Sequence, residues 1–247
     1  MRLMRFRDEF RDCLKFIQHP QLTRAVPHPP PIAGWVADWI PSIRFKRLLA
    51  WAGTLWLINI VALGPFVLAV FELSGAKHRI DVHNLPWIQA IIWAPIVEEL
   101  LFRFGLRHPV QALWMVPSLV IVLLSGTSWW ASSLLALTIL VSWWFSIQSS
   151  GVGLRSWVFL QHYRSVFGLV FHLVALAFAA IHLKNFIFFD IEWWMMMVLV
   201  LPQWVTGLVL GWMRVTRNVG SAILLHGMFN AGPLTVAWLA LTLKGDL

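Results

Sequence analysis

Charge is what this chain has least of. Only 12% of its 247 residues are charged, about half the share usual in soluble domains. That excludes a water-exposed fold with a salt-bridged surface, and equally a charge-rich disordered chain or a coiled coil. Cysteine is nearly absent as well. The single Cys13 cannot close an internal disulfide, and no thiol cluster exists to hold a metal. Tyrosine also occurs once, whereas tryptophan occurs 17 times. Indole favours the membrane interface, where the ring stays apolar and the N–H stays wet. Hydrophobic residues make up 59% and the net charge is +8. In a soluble protein such a surplus would suggest nucleic acid; in a membrane protein it marks loops beside anionic lipid. The composition selects the second reading, so the expected partner is a lipid bilayer, with no nucleic acid.

The apolar residues fall into seven runs, near 48–72, 86–107, 110–127, 129–147, 165–188, 193–213 and 218–242. Each is at or near the roughly 20 residues needed to cross the hydrocarbon. The expected fold is an all-α, polytopic transmembrane bundle of about seven spans. Residues 1–47 form a separate N-terminal segment. Leu3, Phe6, Phe10, Cys13 or Leu14, and Ile17 recur at helical spacing, which predicts an amphipathic interfacial helix. No continuous apolar core or small-residue cleavage site follows the basic start, so it does not read as a signal peptide. Pro20, Pro27, Pro29, Pro30 and Pro31 then mark a stiff connector. With a cytoplasmic N-terminus, fifteen of the nineteen basic residues lie inside, leaving Lys77, Arg79, Lys184 and Lys244 outside. That bias supports an odd number of spans. The small size and lack of eukaryotic targeting signals lean toward a bacterial plasma membrane.

Ionisable groups inside apolar runs therefore stand out, because an acid at mid-membrane costs about 2.5–3.5 kcal/mol on insertion scales. IIWAPIVEELLFR holds Glu98 and Glu99, with Arg103 one helical turn after Glu99. An ion pair between Glu99 and Arg103 lowers the cost of inserting both. It leaves Glu98 without a local counter-ion, and an unpaired intramembrane carboxylate is a functional hypothesis. Two other runs supply partners at the same spacing: Phe178 with His182, and His226 with Asn230. Singly, each histidine reads as a hydrogen-bonded structural residue; together, the four polar groups from three runs suggest a site. By a rise of about 1.5 Å per residue, Glu98 and His226 both fall near mid-membrane. His182 does so if its span continues helically through Phe186, Phe188 and Phe189. Gly207 and Gly211 form GxxxG, a spacing that permits close helix contact.

The patterns EExxxR (Glu98, Glu99, Arg103), FxxxH (Phe178, His182) and HxxxN (His226, Asn230) resemble, in order, the signature motifs of the CAAX protease and bacteriocin-processing family. This family, also called CPBP or Abi, comprises intramembrane proteases and includes the Ras-converting prenyl-protein endopeptidases. The resemblance covers roughly residues 86–240, so residues 48–247 are read as the protease domain. It departs from the family in length. Glu98 and His182 are 84 positions apart, and residues 110–147 look like an inserted helical hairpin, which preserves the relative orientation of the motif helices. The resemblance implies Glu98 as general base, His182 as an orienting and activating partner for water, and His226 with Asn230 as oxyanion donors. Glu99, Arg103 and Phe178 would be supporting residues. It favours a metal-free site; alternatively Glu98, His182 and His226 supply a zinc-like ligand set. The implied substrate is a membrane-associated peptide or protein, with prenylated CAAX chain ends the best-known class. Other readings are a non-proteolytic binding or immunity protein on the same scaffold, or a proton-coupled transporter.

Overall fold

A computed structural model of the protein describes residues 5–22, 34–79, 85–148, 154–188 and 191–244. Leu3, Pro27, Pro29, Pro30, Pro31 and Phe189 lie outside the described residues. The chain is all-α apart from one two-stranded ribbon among those residues. Five helical stretches are long and apolar enough to cross a membrane. The first joins α3 (Phe45–Trp56), a π-helical stretch at Leu57–Leu63, and α4 (Gly64–Ser74) into one 30-residue rod. The widened turn falls just before Pro65, whose missing N–H interrupts the α-helical ladder. The others are α7 (Trp129–Gln148), α8 (Leu154–Ile181), α9 (Trp193–Thr216) and α10 (Val219–Lys244). Their outer faces carry large apolar side chains, among them Val61, Phe66, Leu137 and Leu169 at 55–63% exposure. That is the pattern for lipid rather than water as solvent.

The remaining two of the seven apolar runs are shorter helices. α6 (Pro109–Ser125) has 17 residues. The run at 86–107 breaks up: a π-helical stretch at Gln89–Trp93 leads into α5 (Ala94–Phe102), and a 3₁₀ turn at Phe104–Leu106 follows. From Gln89 to Phe102 this helix is about 21 Å long, short of the roughly 30 Å hydrocarbon thickness. α6 and α7 form the hairpin expected at 110–147. Hydrogen bonds from Gln111 Nε2 to Ser146 Oγ (3.0 Å), Ser142 Oγ to Gln111 Oε1 (2.8 Å) and Thr138 Oγ1 to Ser118 Oγ (3.2 Å) join its two helices. Polar contacts of this kind hold apolar helices together where no hydrophobic force acts between them. Val97 and Leu100 of α5 and Phe104 of the turn after it share one buried cluster with Leu119, Val122 and Leu135 of the hairpin.

One expected helix is corrected. α8 ends at Ile181, and His182 opens a 3₁₀ turn, His182–Asn185. The following Phe186–Ile187 is a strand (β2), not a helical tail, and pairs antiparallel with β1 (Lys77–His78) in the register His78↔Phe186. The aromatic and β-branched FIF sequence favours extended backbone once a partner strand is present. GxxxG is used within the chain. A Cβ at Gly207 would lie 3.1 Å from the Phe178 ring, and one at Gly211 2.7 Å from the Phe171 ring, so the two glycines let α9 lie close on α8.

The N-terminal segment is part of the bundle. α1 (Phe6–Gln18) turns its apolar stripe toward protein: Phe6 and Phe10 pack on Trp51, and Phe16 on Phe171. Cys13 is buried and Leu14 is 47% exposed, so Cys13 belongs to that stripe. Glu9, buried beside it, is bonded to Arg217 (2.7 Å) and Arg47 (3.3 Å). α2 (Gly34–Trp39) is fastened through Asp38, which meets Arg214 at 2.5 Å and His108 at 3.3 Å. Arg214 is fully buried, and it also donates to the carbonyls of Arg103 (3.1 Å) and Phe104 (3.3 Å). The sole tyrosine, Tyr163, donates to Leu106 O (3.1 Å). The Arg103 and Phe104 carbonyls, which already accept N–H groups from the following turn, thus gain side-chain donors from α9, and the Leu106 carbonyl gains one from α8.

Burial alone would raise the Asp38 carboxyl, but the Arg214 charge and the His108 hydrogen bond outweigh it and hold it well below the usual carboxylate range. A depressed folded-state value adds stability above the unfolded one, near 3.9, and loses it as pH falls through the folded one. Asp38→Ala leaves Arg214 buried and unpaired and is expected to cost about 3–5 kcal/mol at neutral pH. Thermal unfolding in detergent should show that deficit, and show it narrowing as pH drops below about 4.

Candidate active site

Pro95 sets the local geometry of the helix that carries Glu98. Ala94 N–H is drawn back to Gln89 O, one residue further than in an α-helix, and Pro95 has no N–H. The Ala90 carbonyl therefore lacks both the donor an α-turn would supply and the one a π-turn would supply. Asn230 Nδ2, from α10, donates to it at 2.8 Å. Gly227, on the same helix, permits the approach: a Cβ there would come 2.6 Å from Ile91 O. α10 thus lies flush against the π-helical stretch, and His226 reaches the next turn of α5.

Glu99 and Arg103 are both fully buried and meet at 2.5 Å. The same Glu99 Oε1 accepts a hydrogen bond from His226 Nδ1 at 2.8 Å. The Arg103 guanidinium lies over the Phe178 ring, 3.8 Å from its centroid, close enough for a cation–π attraction. Phe178 in turn presents its ring edge-on to His182 and His226, with centroids 4.7 and 5.7 Å apart. Glu99, Arg103 and Phe178, the three residues expected to support the site, thus contact one another beside the two histidines.

Glu98, one position earlier on α5, points elsewhere. Its Oε2 is 3.8 Å from the Nε2 of both His182 and His226, and has no hydrogen-bond partner among the described residues. The tautomers follow from the other ring nitrogens. His182 Nδ1 lies 2.7 Å from Phe178 O, which can only accept, so Nδ1 carries the hydrogen. His226 Nδ1 donates to the Glu99 carboxylate in the same way. A neutral ring at either position turns a bare Nε2 toward Glu98. Glu98 and His182 line a cavity of about 640 Å³, which Asn230 also lines together with the exposed His78, Arg79 and Lys184, and His226, itself buried, stands beside Glu98.

Glu98, His182 and His226 are therefore brought together from α5, the 3₁₀ turn that follows α8, and α10. Asn230 shares their cavity, with one amide N–H engaged on Ala90. His172, on α8, lies away from them in a surface groove with His19 and Arg164. Among the described residues no group of three or more His, Cys, Asp or Glu is assembled at metal-holding distances. The 3.8 Å separations are wider than the roughly 3.4 Å that bonds of about 2.1 Å at tetrahedral angles produce. Asn59 and Gln203 also line the cavity and were not singled out from the sequence. A lone amide within the apolar LINIVALGP was the available signal for Asn59. Compared with known families, with characterised proteins and with solved structures, the chain matches none.

Arg103→Met strands the Glu99 charge in a dry site and is expected to cost about 3–5 kcal/mol. Adding Glu99→Gln removes that charge and keeps an oxygen for His226 Nδ1–H. Thermal unfolding should show the double variant regaining most of the loss.

Proposed function

We propose that the chain is an intramembrane endopeptidase, and within that class a member of the CAAX protease and bacteriocin-processing family. One observation carries the reading: a buried carboxylate oxygen without a hydrogen-bond partner faces two imidazole Nε2 atoms at 3.8 Å, on the wall of a cavity that polar residues line. Two atoms so spaced can share one water at hydrogen bonds of about 2.8 Å. They then subtend roughly 85° at its oxygen, so one water can bridge Glu98 to either imidazole by donating a hydrogen to each.

In the proposed reaction Glu98 takes a proton from that water while the water oxygen bonds to a peptide carbonyl carbon. The proton then passes to the departing amide nitrogen as the C–N bond breaks, leaving a carboxylic acid and an amine, between which the acid proton then moves to give carboxylate and ammonium. His182 orients the water through Nε2. The Asn230 amide has a second N–H available to the oxyanion in any protonation state. His226 can donate from Nε2 only as the doubly protonated ring, because its Nδ1 hydrogen is already committed to Glu99. The substrate is a membrane-associated peptide or protein, with prenylated CAAX chain ends the class the resemblance points to. In the seven-span topology α5 and α6 each cross. The positive-inside bias then puts the cavity mouth, at His78, Arg79 and Lys184, on the non-cytoplasmic side of a bacterial plasma membrane.

A zinc-dependent variant of the same chemistry draws on one observation. Both histidines tether Nδ1 and present Nε2, as metal-ligating histidines do. Glu98, His182 and His226 would hold the ion, which would supply Lewis-acid activation of water.

Comparative analysis of new chain ends in membranes from cells carrying wild type or Glu98→Gln tests the reading. Cleavage should fall about 10²–10⁴-fold in Glu98→Gln and about 10²–10³-fold in Asn230→Ala, with protein level and unfolding temperature retained. Cleavage by purified protein that withstands chelators excludes zinc. Identical chain ends in wild type and Glu98→Gln would favour a binding or immunity protein, and proton-coupled solute uptake lost in Glu98→Gln a transporter.

A further inference from the structure

The cavity that holds Glu98 has a second buried acceptor in its wall. Asn59 sits in the π-helical stretch Leu57–Leu63 and is 8% exposed. Its Nδ2 donates to Leu55 O at 2.7 Å and to Thr206 Oγ1 at 3.3 Å. The Thr206 hydroxyl hydrogen is itself given to Pro202 O at 2.9 Å, so Thr206 can only accept from Asn59. Both partners are acceptors, which fixes the amide: nitrogen toward Leu55 O and Thr206 Oγ1, oxygen on the opposite side of the group. Oδ1 is left without a donor among the described residues. Glu98 Oε2 is in the same condition in the same cavity. A buried acceptor held rigidly and left unpaired is costly, and in native proteins such a group is completed by an ordered water, an ion or a bound ligand.

We infer that Asn59 is a substrate-binding residue whose Oδ1 accepts a backbone N–H of the peptide hydrolysed at Glu98. The inference rests on the peptidase reading. The chemistry of the acceptor selects the ligand. An amide oxygen carries no net charge, so it complements a neutral N–H better than an ammonium group, and a peptide backbone offers one such donor per residue. Holding the chain at a point other than the scissile bond serves positioning, because binding energy gathered there orients the carbonyl for attack. Thr206 acts as the pin: it keeps the Asn59 nitrogen away from the substrate and its oxygen toward it.

The test starts from a bond cleaved by wild type in proteoliposomes and spared by Glu98→Gln. A peptide spanning that bond is made, together with a series in which one backbone amide at a time becomes an ester, which removes the N–H and keeps a carbonyl. In wild type, one ester away from the scissile bond should lower kcat/KM about tenfold, the worth of one hydrogen bond. In Asn59→Leu, KM for the all-amide peptide should rise about tenfold with kcat within about threefold, and that ester should have no further effect. If Asn59→Leu does not fold, Thr206→Val releases the pin and should reduce the sensitivity to the same ester. A flat ester series in wild type, or an ester effect undiminished in Asn59→Leu, overturns the inference and leaves the peptidase reading standing. Absence of any bond cleaved by wild type and spared by Glu98→Gln overturns the peptidase reading, and this inference with it.

Discussion

The Glu99–Arg103 pair is the constraint around which the bundle is arranged. Two charges with no exposure to solvent lose their hydration entirely, and pairing alone does not repay that loss. The rest comes from neighbours that have to be placed for the purpose. α8 supplies the Phe178 ring under the guanidinium, α10 supplies His226 to the carboxylate, and α9 supplies Gly207, whose missing side chain leaves room for both Arg103 and Phe178. Four helices are oriented by one ion pair. Glu98 comes one residue earlier, about 100° round the helix. It therefore points away from this paired centre and toward the cavity, where its Oε2 meets two imidazoles.

Two prolines shape the cavity. Pro65 and Pro95 each follow a π-helical stretch, and both stretches, through Asn59 and Ala90, contribute to the cavity wall. Irregular backbone is tolerated at membrane depth only where side chains or water can satisfy it. Here side-chain amides do so: Asn230 for Ala90 O, and Asn59 within its own turn. Features that would weaken a lipid-facing helix become the means by which polar groups are held at the site.

At the far end of α5, Arg214 connects Asp38 of the N-terminal segment to the carbonyls of Arg103 and Phe104. Arg217 and Arg47 hold Glu9 in the same manner. The segment that precedes the first span is thereby bonded to the end of the helix bearing Glu98 and Glu99, and its position and theirs are linked.

Short-range physics made much of this legible in the sequence. Hydrophobic run length marked the membrane-crossing stretches, and the i,i+4 spacing marked Glu99 with Arg103, because both depend only on helical geometry. Run length did not reveal that the 86–107 run is broken at Pro95 and Arg103, nor that His182 ends its helix, since a pairing strand 108 residues earlier decides the fate of Phe186. The stripe on α1 was legible as a stripe, but whether it meets lipid or protein depends on Trp51 and Phe171, which lie far along the chain. Asp38 and Arg214 are 176 positions apart, and the Asn230–Ala90 bond spans 140. The sequence by itself determined an all-α chain built for an apolar solvent, with a few polar groups whose cost demands partners. Only the tertiary structure decided who those partners are, because a buried charge or carbonyl is satisfied by whichever group packing brings within about 3 Å, and packing is a property of the whole bundle.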